Sequence, residues 1–464
     1  MVVSHWSGVA ILSLVIVLFH IGIIASPGFF SHDEWQRFDF VSEHGLWRYV
    51  QVFGRLHSGP EFGHPIRPLG FIQEGISTLW MKSLPFIPHL IDVSIHVVIS
   101  LLLVHALLVA GSSWAGAYLA GLLFGLSPLT TMATGWVAAS FDQLYALFTV
   151  LVAIEIIRIA RSGMTPVRTG VMILMGACAI LSKETALVLP VVALLVFLAV
   201  RLARRDLVVP WKTVMSAVVL LMIPLLVYLV IRFPAIIQTL FGKAHASYTP
   251  NILNAPKNVL HYFAYPFLLN TADLNSGALD PLGLSVGVAL HSLLLYMLVR
   301  RFGRAFFLLY LASYFVFLTP VISLPVMGSH YLNGSAFSMA VAMAALLIAE
   351  WKDRRIMHLS LVSSLTLLTF VHAAYSQGFI YRTALCQTTF LDSLDVRMAI
   401  ERSKGNSRIV IRSAKIEPGC MKAIFGRDRY SGTQGVAVNF EAGPLDTYGK
   451  GVVLVHMDEQ CLVK

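Results

Sequence analysis

The stretch GVAILSLVIVLFHIGIIASPGFFSHDE, residues 8–34, decides the fold class of this chain. Residues 8–26 contain no Asp, Glu, Lys or Arg, and a run of this length can cross a hydrocarbon core about 30 Å thick. Pro27 and Gly28 stop the helix, and the cluster Ser31-His32-Asp33-Glu34 follows at once. The stretch therefore predicts a membrane span with a pair of carboxylates at the membrane surface.

The composition extends this prediction to most of the chain. Of the 464 residues, 57% are hydrophobic and 12% are charged, whereas soluble domains carry about 25% charged residues. Apolar runs of about 18 to 22 residues recur along the first four-fifths. We predict an all-α polytopic membrane protein with about eleven transmembrane helices. They are placed at 8–26, 90–110, 114–128, 141–160, 169–182, 185–201, 212–231, 282–299, 305–323, 335–350 and 356–375.

The net charge of +10 is a topology signal. Basic residues concentrate in loops on the cytoplasmic side of membrane proteins. With a cytoplasmic N-terminus, all four basic loops of this chain fall inside, so no nucleic-acid partner is predicted. The expected location is a bacterial cytoplasmic (inner) membrane, crossed many times. The loops hold thirteen of the 34 lysines and arginines: Arg158, Arg161, Arg168, Arg201, Arg204, Arg205, Lys212, Arg300, Arg301, Arg304, Lys352, Arg354 and Arg355.

The chain divides into a membrane domain, 1–376, and a C-terminal segment, 377–464. The first outer loop, 27–89, is expected to hold interfacial helices at 46–53 and 66–84. The second of these could instead be a true span, but that would reverse every later loop against the basic pattern. In 377–464, charges and short β-like runs alternate with Gly and Pro turns. This pattern predicts a small soluble α+β domain on the outer, periplasmic face.

The cysteines divide in the same way. Cys178 lies within a predicted span, where a thiol packs as a small apolar group. Cys386, Cys420 and Cys461 lie in the predicted outer domain, where a disulfide is permitted. One of the three cysteines must stay unpaired, so the sequence does not determine which two form a disulfide. Cys420–Cys461 is one option.

Charged groups at membrane depth are costly and often functional. Asp33 and Glu34 either solvate a helix end or act as a general base that takes a proton from a hydroxyl. Lys183 and Glu184 form a tight turn between two spans. Their side chains either form an ion pair with each other at the membrane surface, or the Lys183 ammonium is a cation that binds a phosphate. Asp142 begins the fourth span, where the helix dipole alone would favour an acid.

Two arginines are further candidate site residues, and several common ligand-binding motifs do not occur in the sequence. Arg67 and Arg232 could hold a phosphate or headgroup, or could anchor the interface. No His-x-x-x-His or Cys-x-x-Cys spacing occurs, so no metal ligands are predicted. A requirement for a divalent cation is left open. No Walker-type loop or Gly-x-Gly-x-x-Gly occurs either, which disfavours soluble nucleotide substrates.

Several landmarks, in order along residues 1–350, resemble the GT-C membrane glycosyltransferases. The resemblance is nearest to the protein O-mannosyltransferase and TMTC-like branch, and more distant to lipid A aminoarabinose transferases. Two features depart from TMTC-like proteins, namely His330-Tyr331 in place of Arg-Tyr and the absence of tetratricopeptide repeats. The landmarks are His32-Asp33-Glu34, Ile66-Arg67-Pro68-Leu69, Asp92 to His96, Leu126-Ser127-Pro128, Gly135-Trp136-Val137 with Asp142, Leu181 to Ala186, and His330-Tyr331-Leu332.

The resemblance implies a GT-C fold and a polyprenyl-phosphate sugar donor used on the outer membrane face. The acceptor would be a protein, a glycolipid or a cell-surface glycan. Asp33 would be the base, Glu34 would assist it or position the acceptor, and Asp142 would support the reaction centre. A single displacement would invert the anomeric carbon. The implied donor and phosphate site comprises Arg67, Lys183, Glu184, Arg232, His330 and Tyr331.

Two rival functions follow from the same composition. An O-antigen polymerase or ligase would be expected to carry a large basic outer loop late in the chain, but 232–281 holds few Lys or Arg. A flippase or transporter of lipid-linked sugars would place charges along a path within its spans. Here the charges fall at the outer ends of predicted spans, which favours the transferase.

Overall fold

A computed structural model of the chain describes the following residues: 5–29, 32–53, 67–81, 83–204, 209–241, 250–268, 280–404, 408–412, 430–431, 437–440 and 452–456. The α-helices of this part are α1 His5–Phe19, α2 Ile21–Ile24, α3 His32–Phe53, α4 Pro68–Thr78, α5 Phe86–Ala110, α6 Trp114–Gly125, α7 Pro128–Gly135, α8 Ser140–Ser162, α9 Pro166–Ser182, α10 Leu189–Ala203, α11 Trp211–Phe241, α12 Ala255–Ala264, α13 Pro281–Phe302, α14 Arg304–Val316, α15 Ser335–Lys352 and α16 Ile356–Ser403. Short 3-10 turns lie at Val137–Ala139, Glu184–Val188, Ile252–Asn254, Tyr265–Phe267 and Ser329–Leu332.

Seven helices of the described chain are long and apolar enough to cross a membrane, or eight if α6 and α7 count as one bent span. Three shorter apolar helices, α1, α9 and α14, accompany them. The chain is therefore a multi-pass membrane protein. The number eleven and the orientation in the membrane remain predictions.

Local sequence sets many of the helix ends. The side chains of Ser113, Thr165 and Asp280 each accept a hydrogen bond from a backbone N–H in the first turn of the helix that follows. These bonds satisfy donors that a helix start leaves without intrahelical partners. At the other end, α5 stops at Gly111, whose φ of 95° suits a residue without a Cβ.

The chain bends by 54° between α6 and α7, so α6 lies within the span predicted at 114–128 and α7 leaves it in a new direction. Two histidine rings satisfy the Gly125 carbonyl at this bend. His20 Nε2 donates to it at 2.9 Å and His96 Nε2 at 3.0 Å. Because a backbone carbonyl without a partner is costly at membrane depth, this pair of bonds stabilises the bend.

The first outer loop contains two helices. α3 begins at His32 and kinks at Gly45, where φ is 78° and ψ is 158°, so the predicted interfacial helix at 46–53 is its second limb. α4 has 11 residues and is about 16 Å long, too short to cross a bilayer. The alternative of a true span at 66–84 is therefore wrong.

The described core packs α8 against α5 and α9, and α15 against α6. Fully buried aromatic side chains fill a second region around α12 and α14, including Tyr262, Tyr265 and Tyr314. This packing brings the start of α8 to the same end of the bundle as the 3-10 turn Ser329–Leu332, as the contacts below show.

At the C-terminal end, α16 runs through residue 376 without a break. Four strands follow: β1 Arg408–Arg412, β2 Tyr430–Ser431, β3 Ala437–Phe440 and β4 Val452–His456. They form a sheet of order β2-β3-β1-β4, in which β1 pairs in parallel with β3 and β4, and β2 pairs antiparallel with β3. The division into two domains at 376/377 remains a prediction.

Two of the four cysteines lie in the described part of the chain. Cys178 is free, as expected for a thiol within a span. Cys386 is in a disulfide. The predicted option of a Cys420–Cys461 bond concerns residues that lie outside the described part of the chain.

Candidate active site

Charged side chains from distant parts of the sequence meet around the ring of Phe141 at the start of α8. The Arg37 guanidinium lies 5.5 Å from the centroid of this ring, and that of Arg67 lies 5.3 Å from it. Phe71 packs edge-on against the same ring at 5.1 Å. Both guanidinium groups thus lie close to one ring, and each belongs to a different ion pair, Arg37 with Glu74 and Arg67 with Glu184.

The first ion pair joins Lys183 to Asp142. The Lys183 Nζ lies 2.5 Å from both carboxylate oxygens of Asp142, and the two residues are 3% and 2% exposed. Asp142 sits in the first turn of α8, and Lys183 has an extended backbone between α9 and the next 3-10 turn. Asn333 Nδ2 donates to the Asp142 carbonyl at 2.9 Å. The Lys183 ammonium is therefore held firmly at a buried position.

The second ion pair joins Arg67 to Glu184. Arg67 Nε donates to Glu184 Oε2 at 2.7 Å, and Arg67 Nη2 donates to Oε1. This fork-to-fork geometry fixes the plane of the guanidinium as well as its position. Because Glu184 follows Lys183 directly, both cations are held beside one turn of the chain.

The aromatic wall of the site comes from the Ser329–Leu332 turn. The Lys183 Nζ lies 4.7 Å from the centroid of the Tyr331 ring. His330 packs between Tyr331, at 4.1 Å, and Trp136, at 4.9 Å between ring centroids. Burial lowers the pKa of His330 well below its usual range, and the nearby Lys183 and Arg67 charges lower it further. His330 is therefore a neutral ring and not a cation for a phosphate.

Asp33 and Glu34 differ in burial. Glu34 is fully buried, and the backbone N–H of Ala138 donates to its Oε1 at 3.3 Å. Asp33 is half-buried and interacts electrostatically with Arg37 and Glu74. Of the two carboxylates, Asp33 is the more accessible to a second molecule.

Sequence reasoning missed the group that supports Asp33. Arg37 forms an ion pair with the buried Glu74, and Tyr49 Oη donates to Glu74 Oε2 at 2.8 Å. Burial raises the pKa of Glu74 to about 7, although the Arg37 charge acts in the opposite direction. One signal was available, because Arg37 follows Asp33 by four residues and such pairs face each other on a helix.

A further carboxylate lies behind the site. Asp92 is fully buried in α5, where its Oδ1 accepts a hydrogen bond from Gln73 Nε2 at 2.9 Å. Within the described chain, its Oδ2 has no hydrogen-bond partner. It lies near enough to Glu34 and Glu74 to interact with both charges.

Arg232 lies at the edge of the site. It lies one residue before the end of the apolar span Trp211–Phe233, as predicted, and its Nη1 donates to Tyr228 Oη at 2.7 Å. It acts electrostatically on Glu184. The structure thus gathers Arg67, Asp142, Lys183, Glu184, His330 and Tyr331 in one set of contacts, with Arg232 near Glu184. Asp33 interacts instead with Arg37, and Glu34 accepts from the Ala138 N–H.

No metal-ligand set accompanies these groups in the described part of the chain. No cluster there of three or more His, Cys, Asp or Glu side chains has the geometry to hold a metal ion. The charges of the site are instead balanced by ion pairing between arginine or lysine and carboxylates.

Gly70 provides a test of the packing that holds the two arginines. A Cβ at Gly70 would lie 1.7 Å from Phe141 Cδ1, so Gly70→Ala must displace the ring. We expect a loss of about 1–3 kcal/mol in stability, as in other overpacked cores, measured as a lower Tm in detergent. Gly170→Ala in α9 is the matched control, because a Cβ there meets nothing within 4 Å. Equal Tm changes in the two variants would contradict this packing.

Comparison with known proteins gives a weak structural likeness to solved structures. No family model matches the chain, and no curated protein matches it. A crystal structure of ArnT from Cupriavidus metallidurans bound to undecaprenyl phosphate is similar over 90% of this chain and 84% of the ArnT chain. Sequence identity is 13% and the TM-score is 0.45. A likeness at this level does not establish family membership.

Proposed function

We propose that this protein is a GT-C-type membrane glycosyltransferase. It would transfer a sugar from a polyprenyl-phosphate donor to an acceptor hydroxyl outside the cytoplasm. The observation that carries the proposal is the meeting, around Phe141, of segments that are up to 300 residues apart in sequence. These segments hold Asp33, Arg67, Asp142, Lys183 and Tyr331.

The reaction needs a positive charge where the phosphate leaves. In the proposed mechanism, Lys183 and Arg67 stabilise the charge that develops on the departing phosphate oxygens. Asp142 and Glu184 hold these two cations in place before the donor arrives, at 2.5 Å and 2.7 Å respectively. Glu184 is itself an anion, so its role is to orient Arg67. Tyr331 and the neutral His330 line the donor site, and Arg232 lies at its edge.

The reaction also needs a base on the acceptor. Asp33 takes the proton of the acceptor hydroxyl as the oxygen forms its bond to the anomeric carbon. The bond from that carbon to the phosphate oxygen breaks, and its electron pair leaves with the polyprenyl phosphate. A single displacement of this kind inverts the anomeric carbon. Glu34, the buried residue next to Asp33 in the sequence, would assist Asp33 or position the acceptor.

The setting of the site suits a lipid donor. A polyprenyl chain stays in the bilayer, so the donor arrives laterally between helices and no nucleotide-binding fold is needed. We place the protein in a bacterial inner membrane with its N-terminus in the cytoplasm and residues 377–464 outside. The acceptor would be a protein, a glycolipid or a surface glycan.

The proposal is tested with purified protein in proteoliposomes. A polyprenyl-phosphate sugar labelled in the sugar is supplied together with a cell-envelope extract as acceptor. The expected result is protein-dependent loss of sugar from the lipid and its appearance on the acceptor. Movement of intact donor across the bilayer would instead identify a flippase. Growth of glycan chains from diphosphate-linked lipids would identify a polymerase or ligase.

A further inference from the structure

A groove lies at the end of the helix bundle opposite the candidate active site. It runs between α6 and α15 and encloses about 360 Å³. The α15 helix starts at Ser335, just after the Ser329–Leu332 turn of the active site, and has 18 residues. At a rise of 1.5 Å per residue it spans about 27 Å. The mouth of the groove lies at the far end of this helix.

The walls of the groove are apolar and include several small residues. Gly116 and Ala120 line it on α6, and Ala344, Ala345 and Ile348 line it on α15. The small side chains leave a cleft that continues from the mouth into the level of the apolar spans. A hydrocarbon chain matches such a cleft because both are apolar.

The mouth of the groove is polar and basic. Arg301 and Lys352 line it together with Ser113 and Asp353. The Arg301 guanidinium is held there by Asp353 at 2.6 Å and by the buried Glu350 at 3.7 Å, whereas Lys352 is exposed. Over residues 300–304 and 350–355 the chain has six Lys or Arg side chains and two acids. This excess of positive charge favours the binding of an anion at the mouth.

Two tryptophans place this mouth at the level of lipid headgroups. Trp114 begins α6 and Trp351 lies one residue before the end of α15, and they are 55% and 70% exposed. Exposed tryptophans are typical of the boundary between hydrocarbon and water. The cations of the mouth and the headgroup layer therefore coincide in depth.

We propose that this groove binds one anionic glycerophospholipid of the surrounding membrane. Its phosphate lies at Arg301 and Lys352, and one acyl chain lies between α6 and α15. Basic pockets between membrane helices bind anionic headgroups in this way. A zwitterionic lipid fits less well because it brings its own cation to a basic mouth, and a water-soluble anion leaves the apolar cleft unused. The inference does not depend on the proposed transferase function.

Native mass spectrometry of the full-length protein tests the proposal. Delipidated protein is titrated with phosphatidylglycerol, or with phosphatidylcholine of the same acyl chains. We expect one phosphatidylglycerol to bind in preference to phosphatidylcholine. Lys352→Gln should weaken this binding about fivefold. Ala345→Leu should weaken it further by filling the cleft.

Lys212→Gln is the matched control, because Lys212 is an exposed lysine in a different basic loop. Equal binding of the two lipids would overturn the proposal, and so would equal effects of Lys352→Gln and Lys212→Gln. Displacement of phosphatidylglycerol by equimolar polyprenyl phosphate would also overturn it. If Ala345→Leu does not fold, Lys352→Gln alone decides. Sugar transfer is not measured, so failure here leaves the proposed function untouched.

Discussion

Asp33→Asn is expected to reduce sugar transfer by about 10²–10⁴-fold, the usual contribution of a general base. An amide keeps the size of the side chain but cannot accept the proton of the acceptor hydroxyl. Asp33 is half-buried, so the change should cost little stability. The measurement is the initial rate of transfer in proteoliposomes containing equal amounts of folded protein.

Asp280→Asn is the matched control for this substitution. Asp280 caps α13 by accepting a hydrogen bond from the Gly283 N–H at 2.9 Å, and Asn caps a helix about as well as Asp. Its transfer rate should equal that of the wild type. If Asp33→Asn keeps the wild-type rate while Glu34→Gln abolishes transfer, then Asp33 is not the base.

Lys183→Met is expected to have the largest effect on stability. It leaves Asp142 as a buried carboxylate without its cation, and breaking a buried ion pair in this way costs about 3–5 kcal/mol. Thermal unfolding in detergent measures this loss. The same variant should weaken use of the donor more than use of the acceptor, because the ammonium is assigned to the donor phosphate.

The double variant Lys183→Met with Asp142→Asn separates the two effects. Removing the orphaned charge should restore most of the stability, whereas donor use should stay low. Lys212→Met, at an exposed lysine, serves as the control and should change neither. Recovery of full transfer in the double variant would show that Lys183 is structural only. Equal losses for donor and acceptor would remove its phosphate role.

Much of the membrane architecture could be predicted from hydropathy, because an apolar run of sufficient length has few alternatives in a bilayer. The bend between α6 and α7 could not be predicted in the same way. It depends on the Gly125 carbonyl meeting two histidines from α5 and from the residue before α2. The continuation of α16 past residue 376 was also missed, because a change to polar composition does not by itself end a helix.

In the candidate site, too, the sequence predicts single residues but not the contacts between them. Lys183, Asp142 and Arg67 could be singled out because charges near membrane spans are rare, but their pairing is fixed only by packing. Glu74 belongs to the predicted first outer loop, where an acid attracts no attention, and its burial in α4 against Arg37 and Tyr49 depends on how α3 and α4 fold together. The residues next to Glu74 in the sequence do not predict such a contact.

The α16 helix also determines how far the C-terminal residues can stand from the membrane. Its 48 residues correspond to about 72 Å, whereas a bilayer with its headgroups is about 40–45 Å thick. It starts five residues after Trp351, near the headgroup boundary. If α16 stood upright in the bilayer, several of its turns would therefore extend beyond the headgroups of the opposite side. The strand β1 begins at Arg408, shortly after α16 ends at Ser403.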